Sequence, residues 1–200
     1  PPRNVARCPR PDETARRSTA SRPFSDISRA ALPGCGSIDV MTFERVGPAD
    51  VDEVRGFLRA ADLTLAGLDS PTVRLWLERN GDGHVVGSTG WESSADGRHA
   101  LIRSVAVARR GTGVGTRLAR HALADAAASG ARRAWLFSRR SGPFWQSLGF
   151  TPADRDELAA ALADTHQVRL FAETGQLARE IAWSLPLAPG TAAGRAIESP

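Results

Sequence analysis

The sequence predicts an α/β domain, and three observations lead there. A strand-like run, Leu101 to Val107, passes through a glycine-rich turn into the helix-like run Thr116 to Ser129. Arg133 to Phe137, rich in aromatic and apolar residues, supplies another strand directly after that helix. Upstream, Thr72 to Leu77 and His84 to Trp91 read as a hairpin around Asn80-Gly81-Asp82-Gly83, residues that tolerate the positive φ of a tight turn.

Taken in order, residues 1–40 carry six prolines and seven arginines without sustained apolar periodicity and read as a disordered extension. Met41, the single methionine, stands where patterned sequence begins. A natural translation start there is the expectation, with a functional tether as the alternative. Phe43 to Val46 forms a short strand. Pro48-Ala49-Asp50 marks a helix start, and Val51, Val54 and Leu58 form that helix's apolar face. The connection carrying Leu63, Leu65, Leu68 and Pro71 is expected to hold a short second helix. After the strand at Arg133 to Phe137, Gly142 to Phe150 suits a brief helix: Pro143 fits the first turn, Phe144 and Leu148 share a face, and Gly149 ends it in the left-handed region. Asp154 to Ala163 is a further amphipathic helix, and Ile181 to Leu185 closes the sheet. The catalytic domain is thus expected over residues 41–187, with a frayed tail over 188–200.

Composition narrows the function. The chain has 200 residues, 42% hydrophobic, enough for one core, and a net charge of +4 that comes from arginine alone, since lysine is absent. The basic residues neither gather in one helix nor alternate with aromatics, which argues against a nucleic-acid partner. Cys8 and Cys35 both precede the patterned region, so the domain has no disulfide or thiolate metal site. His84, His99, His121 and His166 lack ligand spacing and read as surface or strand-end residues; no metal is expected. No apolar run reaches the length of a membrane span and no signal segment is evident, so no membrane association is expected and the cytoplasm is the expected compartment.

The glycine turn carries the chemistry. Arg109-Arg110-Gly111-Thr112-Gly113-Val114-Gly115 precedes a helix whose first amides and dipole suit a pyrophosphate, and glycines allow close approach. Without lysine it is not a P-loop, and its spacing is GxGxG where a dinucleotide fold has GxGxxG. Arg132 and Arg133 also stand where a ribose-binding acid should lie. An ordinary strand-to-helix turn with spare glycines is the competing reading. The Arg-x-x-Gly-x-Gly pattern of Arg110, Gly113 and Gly115, followed by Gly142 to Phe150 with its terminal Leu-Gly-Phe, resembles the GCN5-related N-acetyltransferase (GNAT) family. Gly90-Trp91-Glu92, Leu101 and Arg103-Ser104-Val105-Ala106-Val107 resemble its amino-acid and arsenic-resistance members. Against the arsenic-linked group, Ala172 to Trp183 has no cysteine.

The resemblance implies a central, mixed, mostly antiparallel sheet of about six to seven strands flanked by helices and splayed between the fourth and fifth. It implies acetyl-CoA as co-substrate, with the backbone of Val105, Ala106 and Val107 pairing with pantetheine and the amides of Arg110, Gly111, Thr112, Gly113, Val114, Gly115 and Thr116 meeting the pyrophosphate. The family's usual tyrosine acid is replaced by Trp145, its glutamate base by Leu101, and its asparagine after the fifth strand by Ser138; no tyrosine occurs in the chain. Glu92 offers a base or an ammonium partner, or is simply an exposed hairpin glutamate. Alternation puts Arg103 on the face of Val105 and Val107, where its charge must reach a cleft, a partner or solvent. An anionic substrate group would suit it. The leading expectation is therefore transfer of acetyl to the amine of a small amino acid or amino-acid-like toxin, with a homodimer compatible. An acyl-CoA-binding or sensing domain without catalysis is the alternative, and a structural module using the arginine-rich arm is a third.

Overall fold

The computed structural model of the protein describes residues 43–188. The readings of residues 1–40 as an extension, of Met41 as a start and of residues 189–200 as a tail lie outside the described residues, as do both cysteines. Among the described residues, seven strands form one sheet in the order β1-β2-β3-β4-β5-β7-β6. These are β1 (Phe43–Arg45), β2 (Val73–Arg79), β3 (Val85–Ser93), β4 (His99–Val107), β5 (Arg133–Phe137), β6 (Thr151–Ala153) and β7 (Ala182–Pro186). Every neighbouring pair is antiparallel except β4 and β5, which run parallel. The helices are α1 (Val51–Ala60), α2 (Val114–Ala128), α3 (Gly142–Ser147), α4 (Arg155–Ala161) and α5 (His166–Glu173).

The helices divide between the two faces. On one face, α2 and α3 bury Ala119, Ala122, Ala126 and Trp145 against Trp76, Trp91, Ala100 and Ile102. Trp91 Nε1 donates to Asp125 of α2 at 2.8 Å, and Arg74 reaches the same carboxylate at 3.2 Å while lying over the Trp91 ring. On the other face, α1 buries Val54 and Leu58 against Val73, Leu75 and Leu77. There α4 and α5 cover Leu101, Trp135 and Ala182 with Leu158, Leu162 and Val168. Two such layers enclose the sheet's apolar surfaces.

Three expectations need correction. Residues 61–72 form turns with no helix. Leu63 and Leu65 meet the α1 cluster singly, as residues of a loop. The helix expected over Asp154 to Ala163 is α4, and a further helix, α5, follows it where none was expected. Asp154 caps α4 by accepting from the Glu157 amide at 2.7 Å, and Leu162 leaves the helical region at φ −126°. Thr165, fully buried with its hydroxyl donating to the Leu162 carbonyl, then begins α5. A short strand, β6, also pairs with β7 ahead of α4 where no strand was expected. Among the described residues, no helix is long and apolar enough to cross a membrane.

Arg79 ties together the elements at the β1 edge. Its guanidinium donates to Glu44 of β1 at 3.0 Å, to both oxygens of Glu53 of α1 at 3.0 and 2.6 Å, and to the Gly83 carbonyl in the hairpin turn at 3.0 Å. The hydrogen bond from Arg79 holds the Glu53 carboxyl below its ordinary pKa. A carboxylate depressed in the folded state stabilises the fold above its unfolded pKa, and that contribution is lost as pH falls through the folded value. Glu53 is 46% exposed, so solvent screening limits the effect. Arg79→Met is expected to cost about 1 kcal/mol at neutral pH by urea denaturation. Wild type and variant should converge well below the ordinary glutamate pKa of about 4.3.

Candidate active site

The sheet opens where β4 and β5 part. Their pairing covers His99, Ala100 and Leu101 against Arg133, Ala134 and Trp135, and past Leu101 no strand of the described residues pairs with that side of β4. A bulge shapes the exposed stretch. Ser88 opposes Ala106 while Gly90 opposes Arg103, so Ser104 and Val105 together face Thr89. Ser104 takes the extra residue at φ 57°, and the Ser88 hydroxyl donates to its carbonyl at 2.7 Å.

The bulge overturns the expected alternation. Val105 packs with Ala100 and Ile102 on the α2 face, and Ala106 packs with α1 on the other face. Arg103 lies on the side of Leu101, opposite Val105 and Val107, because an inserted residue shifts every later side chain to the opposite face. The backbone of Val105, Ala106 and Val107 is left along the opened edge, and Val107 reaches back toward Gly115 at the start of α2.

The glycine turn continues from that edge. Gly111 and Gly113 have φ of 80° and 79°. Gly113 is the N-cap of α2, whose first helical residue is Val114, two earlier than expected. No side chain caps this end, so the amides of Val114, Gly115 and Thr116 lack intrahelical acceptors. A side-chain carbon built on Gly113 would meet only Arg117 Nη1, at 3.9 Å, so the space before these amides is open. Arg110 is exposed beside it, and a cavity of about 200 Å³ lined by Val86, Ala108, Arg109, Thr112 and Val114 adjoins the turn. An acyl-CoA pyrophosphate and pantetheine fit this combination of unfilled amides and unpaired edge.

Glu92 is neither exposed nor free. It is 1% exposed; Oε2 accepts from Arg103 Nη1 at 2.8 Å, while Oε1 accepts from the His166 backbone at 2.8 Å and contacts His166 Nδ1 at 2.6 Å. The Arg103 side chain is wholly buried, and its Nη2 donates to the Ala66 carbonyl in the 61–72 loop. Burial lowers the Arg103 pKa, with Glu92 opposing the shift. Gly67, at φ 66°, lies flat on the His166 ring, where a side-chain carbon would come within 2.4 Å of it. One carboxylate thus joins β3, β4, α5 and the loop after α1.

Ser138 stands just beyond β5, on the opposite lip of the opening. Its hydroxyl accepts from the Ser141 amide at 3.2 Å and its carbonyl from Trp183 Nε1 at 3.0 Å, so it shapes the turn into α3 and makes no bond to Glu92 or Arg103. Arg140 of that turn reaches Asp62 in the loop after α1 at 2.9 Å. Among the described residues no group of three or more histidines, cysteines or acids is arranged to hold a metal.

The family model described as Acetyltransferase (GNAT) family matches residues 43–150, more than half of the chain. The chain belongs to the GNAT acetyltransferase family. Solved structures share the fold. N-acetylglutamate synthase from Neisseria gonorrhoeae, complexed with coenzyme A and N-acetyl-glutamate, superposes with a TM-score of 0.58 at 17% identity over 74% of this chain and 35% of its own. The chain therefore spans about a third of that enzyme. Rv2747 from Mycobacterium tuberculosis, in complex with CoA, gives 0.58 at 20% identity over 74% and 99%. Tetrahymena GCN5 gives 0.56 at 11% over 74% and 97%. The search of curated proteins returned no match.

Within this GNAT fold, Trp145 is 7% exposed and packs edge-on against Phe144 and Phe150, so the position expected to carry the family's acid is core. The histidine reading also changes. His166 binds Glu92, His99 accepts from Trp135 at 3.0 Å, and His121 stacks on Phe43, whereas His84 is exposed. The Thr165-His166 helix start before Val168 and Phe171 was the available signal for His166, but no element was expected over that stretch. Glu92→Gln is expected to destabilise the protein by about 3–5 kcal/mol, since it leaves the Arg103 charge buried without its counterion. Adding Arg103→Met should recover much of that loss in the same chemical denaturation experiment.

Proposed function

We propose that the protein transfers acetyl from acetyl-CoA directly to the amino group of a small amino acid or amino-acid-like molecule. The observation that carries this reading is the opened β4 edge running without interruption into the uncapped α2 N-terminus. Val105, Ala106 and Val107 would hold pantetheine through their backbone, and amides from Arg110 through Thr116 would take the pyrophosphate, with Arg110 adding charge. Acetyl-CoA supplies an activated thioester; this chain's part is to hold it, orient the amine and manage the amine's proton. Ser138, whose hydroxyl hydrogen is left over after its oxygen accepts from Ser141, is suited to donate near the end of β5. Trp145 offers no acid, and a thiol pKa of about 8.5 lets the sulfur leave without a dedicated one. Acetyl-CoA as donor goes with a cytoplasmic setting.

An amino-acid acceptor agrees with the Neisseria synthase, whose structures contain N-acetyl-glutamate or L-arginine. The bonds from Arg103 to Glu92 and Ala66 favour a positioning role for this arginine over direct reading of a substrate carboxylate. Arg103→Ala should then slow an amino acid and its decarboxylated amine alike, whereas a selective rise in the amino acid's KM would show Arg103 reading the carboxylate. A second reading, acyl-CoA binding or sensing without transfer, is favoured by Trp145 and Leu101 in positions that carry acid and base elsewhere in the family. Thiol release from acetyl-CoA over a panel of amines separates the two. Gly113→Val should raise the acetyl-CoA Kd at least about tenfold in calorimetry, since a β-branched residue at positive φ costs about 1–2 kcal/mol and crowds the amides. The variant should remain folded, and unchanged affinity in a folded variant would refute binding at this turn.

A further inference from the structure

Resting on the acetyltransferase reading, we propose that His166 is the proton acceptor for the substrate amine, with Glu92 holding its Nδ1 and leaving Nε2 free. The argument starts from how Glu92 is occupied. Oε2 takes the Arg103 guanidinium, and Oε1 already accepts from the His166 amide. An ionised carboxylate offers lone pairs only, so the 2.6 Å contact of Oε1 with His166 Nδ1 is satisfied with Nδ1 as donor. In the neutral ring, Nε2 then carries the lone pair. The same arrangement, a carboxylate fixing the tautomer of a working imidazole, is what general-base histidines use.

Access and place agree with that role. The ring is 38% exposed although its carboxylate partner is buried. A side-chain carbon placed on Gly67 would lie nearest Cγ, Nδ1 and Cδ2, so the loop approaches the ring most closely near its attachment to the side chain. Nε2 is not among the buried polar atoms that lack a partner. His166 opens α5, which packs over Leu101 and Trp135, the last residues paired before β4 and β5 part. It therefore stands at the mouth of the opening, on the face where the loop after α1 closes over the sheet. The charged groups on the elements packed around it are Glu92 from β3 and Arg103 from β4. Asp164 and Arg169 of its own segment pair with each other at 3.0 Å, and the loop meets the ring through uncharged Gly67, two residues before Asp69.

The chemistry balances. Nε2 takes one proton from the acceptor ammonium and later returns it to solvent. The neutral nitrogen forms a bond to the thioester carbon as the carbon–sulfur bond breaks, and the departing sulfur takes a second proton from that nitrogen, giving amide and thiol.

His166→Asn tests the role, because its side-chain amide can still donate to Glu92 but has no basic nitrogen in place of Nε2. With the best amine of the panel, kcat should fall about 10²-fold or more. Acetyl-CoA Kd by calorimetry and the melting temperature should stay near wild type. The rising limb of the wild-type kcat/KM profile against pH should disappear in the variant. Ring ¹⁵N shifts of the wild-type protein should independently report the neutral tautomer protonated on Nδ1. A variant with wild-type kcat and an unchanged rising limb overturns the proposal, as does a neutral ring protonated on Nε2. A wild type that binds acetyl-CoA and acetylates no amine overturns the acetyltransferase reading and this role with it. Turnover by wild type and variant alike overturns only the role.

Discussion

One residue in the left-handed region, Ser104, organises the rest of the site. Without it, β4 would alternate evenly, and Val105 and Val107 would point with Leu101 and Arg103 away from α2. The bulge turns Val105 and Val107 toward α2 instead, leaves Arg103 on the face where it meets Glu92, and sets the next residues along an edge that β5 has abandoned. A side chain in that backbone region carries a steric cost, and the Ser88 hydroxyl bonded to the Ser104 carbonyl is part of what sustains it. The distortion is located where the strands separate. Backbone groups on that edge thereby become free for a ligand at the very place where the sheet's own pairing ends.

Glu92 is the complementary constraint on the acceptor side. A carboxylate at 1% exposure must be neutralised and hydrogen-bonded, and Glu92 recruits Arg103, the start of α5 and the His166 ring to do so. Arg103 in turn fixes the loop after α1 through the Ala66 carbonyl. The side proposed for the acceptor is therefore built around a polar network, while the side proposed for the donor is built mainly from backbone, with Arg110 beside it. This division matches the small side chains of Val105 to Ala108 and Gly111 to Gly115, interrupted by Arg109 and Arg110, and the charged ones across the sheet. It also gives the chain a route to proton transfer although it has no tyrosine.

Much of the framework was legible from local pattern. The hairpin around Asn80 to Gly83, the strand at Arg133, the helix after the glycine turn and the α1 face of Val54 and Leu58 follow from turn chemistry and periodicity, which act over a few residues. The uncapped glycine turn was legible for the same reason, since glycines announce its backbone conformation. The loop at 61–72 and the helix α5 were not. Leucine spacing in the former resembles a helix, but the leucines are held one at a time by α1, and the start of α5 depends on Thr165 closing onto the Leu162 carbonyl.

By itself the sequence determined the elements proposed to hold the donor: a strand, a glycine turn and a helix whose local conformations need no distant partner to be specified. The tertiary structure alone decided the acceptor side. Glu92, Arg103, Ala66 and His166 come from four separate elements, and no spacing between them carries a signal, because their meeting depends on strand pairing, on the loop after α1 and on a helix that starts where another ends. Alternation treated Arg103 as a neighbour of Val105, and composition treated His166 as one of four scattered histidines. Each acquired its place only when long-range packing brought a buried carboxylate that had to be satisfied.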